Sequence, residues 1–326
     1  MKKKSIHTLL FITAIISNIF ILTACSSNTE TASAIESEKK KAHTNTLAET
    51  EETASPLVSE EPTPIFSHKN EYAAELYYII TSLPEEMPVS SLKQKDIDCD
   101  TLQWFNATYS VFTYHSGCDY HLVGGYSDES DTIDSSLLSG LEQSWGITDR
   151  ATAIESIAWL AYGGHALEYE NSLQLMYDVG MLTDDANDVS RVVYSLSEEA
   201  GWSEEERQII NDYYSMIRML YENCGEKGID TWDYCRIMQI SGNCYYAGYL
   251  TLEECMTIQL ATAKVIQDEF DSWDEMNTSY LQGYYYWSYD STISYAHRLW
   301  AYQDLMQEAD CPFTTLDFDM KLEKFW

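Results

Sequence analysis

The alternation of apolar and polar positions divides the chain into three parts. The first is an apolar run from Leu9 to about Leu22, broken only by Thr13 and by Ser17-Asn18. A membrane span needs roughly 20 mainly apolar residues, so this run is short for one and suits the core of a secretion signal. From residue 26 to about 69 no apolar period exists. From about residue 71 the pattern is helical almost throughout. Tyr72, Leu76, Ile79, Ile80 and Leu83 form one stripe, stopped by Pro84. Leu102, Phe105, Tyr109 and Phe112 form a second, ending near Gly117, and Ile209, Ile210, Tyr213, Ile217 and Leu220 a third.

Local signals support the same reading. Thr251-x-x-Glu254 has the form of a capping box and opens a helix to about Phe270. Ser272-x-x-Glu275 opens the next. No proline lies between residues 89 and 311, which allows long helices. Strand alternation is weak, and its best stretch, Tyr109 to Tyr114, fits helix equally well. The pattern predicts an all-α fold, a single multi-helix globular domain of about nine or ten helices over 71–326. No solenoid repeat is evident.

The amino-terminal run is preceded by Lys2, Lys3 and Lys4 and ends in Leu22-Thr23-Ala24-Cys25. This resembles the bacterial lipobox, a branched apolar residue and two small residues before a cysteine. The resemblance implies a lipoprotein signal peptide over 1–24 and a diacylglycerol on Cys25, holding the protein on the outer face of the cell membrane. Two acyl chains suffice for stable anchoring where one is marginal. Residues 25–70 then read as a disordered tether. Positions 26–69 hold 14 Ser or Thr, eight Glu and three of the six prolines, while all 25 Tyr and nine Trp lie at or after Tyr72. Such a segment cannot bury enough surface to offset its ordering entropy. A flexible chain of this length spans on the order of 35–40 Å.

Charge sharpens the picture. The chain carries 53 Asp and Glu against 19 Lys and Arg, a net of −34. The domain holds 45 of the acids and only 12 of the bases, a net of −33. That argues against a nucleic-acid partner, which needs clustered cations, and favours cationic peptides, basic protein faces or divalent cations. Seven cysteines remain beside Cys25. No C-x-x-C occurs, and the spacings from Cys224 to Cys255 match no zinc pattern. Cys235, Cys244 and Cys255 read as buried thiols. Cys99–Cys118 and Cys224–Cys235 stay open as disulfides, with at least one thiol of the odd set left over.

Three dense motifs occupy the second half: Trp145-Gly146-Ile147-Thr148-Asp149-Arg150 with Trp159 and Gly164-His165; Trp232-Asp233-Tyr234-Cys235-Arg236 with Ala247-Gly248-Tyr249; and Ser272-Trp273-Asp274 with Tyr280-Leu281, Gly283 and Trp287. In this order, over about 137–326, they resemble the bacterial family known as domain of unknown function 1266. The ending Leu316-Asp317-Phe318 to Trp326 is similar to its lipoprotein branch. The resemblance implies a helical fold and no established activity. The chain departs from the family pattern at Ser241-Gly242-Asn243, which reads as a helix interruption, and at Cys255.

These motifs supply the candidate residues. Asp149, His165, Asp233 and Asp274 are the groups that would converge in a catalytic acid/base cluster. Each also has a structural reading, Asp149 as a helix cap and His165 as a group closing the end marked by Gly163-Gly164. Arg150, Trp232, Arg236, Trp273 and Trp287 are the binding candidates. Arg236 follows Asp233 by three positions and Trp232 by four, so it either locks the helix through the carboxylate and indole or anchors a ligand. Tyr284-Tyr285-Tyr286-Trp287 with Tyr289 cannot all face one core. No cofactor motif and no metal-ligand spacing occurs. The leading expectation is an extracytoplasmic lipoprotein with a non-catalytic acidic binding domain; the alternative is an extracytoplasmic hydrolase using a carboxylate/His cluster.

Overall fold

The computed structural model describes residues 71–97, 99–127, 133–289 and 292–326. The signal, Cys25 and tether readings at 1–70 lie outside them. Twelve helices occur among the described residues, with no strand. They are α1 (Glu71–Thr81), α2 (Asp100–Thr108), α3 (Ser110–His115), α4 (Ser135–Trp145), α5 (Arg150–Tyr162), α6 (Gly164–Asp178), α7 (Asp188–Ala200), α8 (Glu204–Cys224), α9 (Asp230–Tyr246), α10 (Leu252–Glu269), α11 (Trp273–Trp287) and α12 (Thr292–Leu305). A four-residue helical turn, Pro312–Thr315, follows. The chain is therefore all-α, as its periodicity predicts.

The capping signals operate at atomic level. Thr251 and Glu254 exchange both bonds of a capping box at the start of α10. Ser272 makes only half of one: its Oγ accepts from Glu275 N–H at 3.2 Å, while the Glu275 carboxylate turns to Asp271 N–H and to Lys227. The second apolar stripe is not one helix. It divides at Tyr109 (φ −120°, ψ 13°) into α2 and α3. Thr108 and Ser110 donate back to the carbonyls of Phe105 and Ala107. The Tyr109 hydroxyl donates to Asn106 and accepts from Gly124 N–H. Such local side-chain bonds compete with the helical ladder.

Helix α9 is the axle of the molecule. It packs against α10, α11, α5, α6, α2 and the Val123–Gly125 turn. From Asp230 to Tyr245 every residue except Tyr234 is buried. Its sequence is nonetheless rich in polar groups, and the Ser241-Gly242-Asn243 segment does not interrupt it. The helix runs through that segment without a break. The reason is steric: a Cβ on Gly242 would stand 2.7 Å from Gly124 N, and Gly124 itself has φ +66°. The two glycines let the Val123–Gly125 turn lie directly on the helix.

All seven described cysteines are free thiols, so neither open pair is bridged. Cys235, Cys244 and Cys255 are fully buried. Burial pushes all three thiols up, Cys255 to about 12. The Cys235 thiol donates to Thr108 O at 2.8 Å and so ties α9 to the α2–α3 break.

Candidate functional site

Four helices meet around Trp232: α9, which carries it, α5 and α6 at their junction, and the second half of α11. The Gly163–Gly164 pair ends α5 and starts α6 at once, placing His165 in the first turn of α6. There Nδ1–H donates to Asp233 Oδ1 at 2.8 Å, and Asp233 Oδ2 accepts the backbone N–H of Ala166 at 2.8 Å. One carboxylate of α9 therefore both orients the imidazole and caps a second helix. The His165 ring stands edge-on to Trp159, centroids 5.1 Å apart, and to Trp232 at 6.2 Å. The side chains of His165 and Asp233 are 4% and 3% exposed.

Arg236 lies one turn further along α9. Its guanidinium stands among aromatic rings, while the two oxygens of Asp233 accept hydrogen bonds at the α6 start. It sits 4.6 Å from the Trp232 ring centre, 4.9 Å from Trp145 and 5.9 Å from Trp287, and donates to Gln239 Oε1 at 3.3 Å. Trp287 in turn lies 5.7 Å from Trp232 and stacks on Tyr284 at 5.9 Å. Five sequence-derived candidates thus come together: His165, Asp233, Trp232, Arg236 and Trp287.

The other four lie elsewhere. Asp149 is the exposed N-cap of α5, in a capping box with Thr152; the Thr152 backbone N–H holds its carboxyl below the usual range. Thirteen residues of helix, about 20 Å, separate it from His165. Arg150 forms a two-bond pair with Glu254, at 2.7 and 3.1 Å, and donates to Pro84 O, so it joins the ends of α5, α10 and α1. Asp274 is exposed on the first turn of α11, near the Tyr302 phenol. Trp273 donates to Leu316 O and packs on Trp104 and Phe318.

The tyrosine-rich run on α11 divides its rings among neighbours. Tyr284 enters the core, Tyr285 meets Tyr295 of α12, and Tyr286 meets Tyr169 of α6. A buried cation that motif reading missed is Arg298, held between Phe112 and Tyr284 and donating to Tyr280 OH at 3.0 Å. Its signal was available: it is one of very few arginines in the domain and stands among aromatic residues.

Chemically the cluster is closed. A His–Asp pair serves as a general base when its imidazole faces a substrate; here two indoles and the helix start enclose it. The neighbouring cleft, bordered by Ala73, Gly163, Glu170, Asp230, Asp233 and Tyr234, holds about 30 Å³, a space on the scale of water molecules. Among the described residues no three His, Cys, Asp or Glu side chains gather to hold a metal ion.

A family model described as "Protein of unknown function (DUF1266)" matches residues 140–318. No curated protein and no solved structure matches the chain.

Proposed function

Because the chain belongs to the DUF1266 family, whose description states no activity, function has to be read from its own residues, and we propose that it is an extracytoplasmic lipoprotein with a non-catalytic binding domain. A diacylglyceryl group on Cys25 anchors it to the outer face of a bacterial cell membrane, and residues 25–70 hold the domain away from an anionic lipid surface that repels it. The partner is cationic, a Lys/Arg-rich peptide or a basic protein face. Among the described residues no helix is long and apolar enough to cross a membrane.

One observation carries this reading, the fate of the domain's 12 cations. Arg150, Arg191, Arg207, Arg218, Lys227 and Lys321 are each ion-paired to a carboxylate of the same domain. Arg236 and Arg298 are buried against aromatic rings. Eight of the 12 cations thus have a carboxylate or aromatic partner within the domain, and the 45 acids far outnumber them. Such a surface steers cationic partners and rejects anionic ones.

Two outcomes are expected. Cys25→Ala releases the protein from the membrane fraction into the medium; retention at the membrane would refute lipid attachment. Capture of a Lys/Arg-rich peptide by the full-length protein is strong at low salt and falls steeply as exposed charges are screened at high salt. Capture indifferent to salt, or a preference for an acidic peptide of equal length, would sink the electrostatic reading.

A further inference from the structure

Glu269 is the last residue of α10, a position where an acid ordinarily points to water. Here its carboxyl turns inward against α9. Tyr234 OH, from a phenol enclosed by the same junction, donates to Glu269 Oε1 at 3.0 Å. The other oxygen, Oε2, is buried and makes no hydrogen bond.

Acidic residues stand near it on three helices. Asp268 flanks it on α10 itself, and Glu170 faces it from α6. From α9, Asp230 and Asp233 stand near the Tyr234 ring that holds it. A cation that acts on it, Lys227 of the turn before α9, is already bonded to Glu275 at 2.7 Å. An ionised carboxylate in this position has one buried oxygen without a donor and several like charges for neighbours, which favours its neutral form.

We propose that Glu269 is a pH-responsive latch: protonated, it closes the junction of α6, α9 and α10 around Tyr234, and ionised, it loosens that junction. Burial, above all, pushes its carboxyl up to about 7, with Asp268 and Glu170 adding to the shift and the Tyr234 hydrogen bond and Lys227 opposing it. Because the folded value lies above the ordinary 4.5, the folded chain binds this proton more tightly than the unfolded one. Stability from this group therefore grows as pH falls from about 7 toward the unfolded value, and is lost as pH rises through the folded one. Tyr234, the hydrogen-bond donor to Glu269, also lines the cleft that Glu170 and Asp230 border.

The test compares the full-length protein with Glu269→Gln, a neutral isostere. The variant should melt higher than the parent at about pH 8, and the difference should close by about pH 5. Tyr234→Phe removes the donor that favours the ionised form, so its transition should move to higher pH. Hydrogen exchange supplies the local reading: amides in the last turn of α10 should exchange faster above neutrality in the parent, with no such step in Glu269→Gln. A Glu269→Gln protein that keeps the parent's pH dependence of melting would overturn the proposal. So would exchange in that turn that ignores pH in the parent. Infrared spectroscopy of the parent needs no variant to fold: a protonated carboxyl titrating near neutrality supports the latch, and its absence counts against it.

Discussion

Gly283→Ala should cost about 3 kcal/mol of stability, near the upper end of what overpacking a core costs. Helices α9 and α11 cross at this glycine. A Cβ built on Gly283 stands 2.3 Å from Trp232 Cβ, 3.0 Å from its Cγ and 3.3 Å from Ile229 Cβ. The nearest atom is the root of a side chain, not its flexible end, so the helices must separate rather than a rotamer turn. Separation would also disturb Trp232, whose ring is in contact with Tyr280, Tyr284, Trp287 and the Arg236 guanidinium. The better helix propensity of alanine returns only about 1 kcal/mol. Gly140→Ala is the control: it lies exposed in α4 with nothing within 4 Å of a new Cβ, so it should stabilise slightly. Urea unfolding of both variants decides the matter. If Gly283→Ala unfolds at the parent's midpoint, α9 and α11 do not approach as described.

The second large effect is expected at the His165–Asp233 pair. Asp233→Ala removes the partner of a buried imidazole and the acceptor for Ala166 N–H in one step. Leaving these two buried donors, the imidazole N–H and the Ala166 N–H, without that acceptor typically costs about 1–3 kcal/mol each. Asp233→Asn retains an acceptor of the same shape and should lose less, about 1–2 kcal/mol. A double-mutant cycle with His165→Ala isolates the pair: the double variant should be less damaged than the sum of the single ones. Additivity within about 0.5 kcal/mol would show the two side chains to be independent.

Much of the local structure was legible in the residues. The stripes at Tyr72–Leu83 and Ile209–Leu220 became α1 and α8, and the Thr251 box became the start of α10. These features depend on neighbours within a few positions. The break at Tyr109 escaped because the apolar stripe continues across it, while the Thr108 and Ser110 back-bonds that favour it are joined by a bond from Gly124, 15 residues away. Ser241-Gly242-Asn243 looked like an interruption because small and polar residues in a helix ordinarily mark its edge. Gly242 instead answers to Gly124, more than a hundred positions earlier.

The candidate site divides in the same way. Arg236 and Trp232 were expected together from their spacing, and they are together, because four positions on a helix bring side chains to one face. Asp233 was equally placed to meet Arg236, and spacing alone held that choice open. Its carboxylate went to His165, 68 residues away, since the exposed amides at the start of α6 and the imidazole both need an acceptor there. Glu269 offered no signal at all: an acid in the last turn of an amphipathic helix reads as solvated, and only the packing of α9 against that end buries it.

Sequence by itself determined the all-α class, most of the helices and their caps, the family, and the scarcity of cations, because periodicity, capping and composition are local or additive properties of a chain. Tertiary structure alone decided that a polar helix, α9, lies at the centre, which of its charged groups pair, and that the candidate cluster is closed rather than open to solvent. Those outcomes depend on which distant groups arrive to satisfy a buried donor, acceptor or charge.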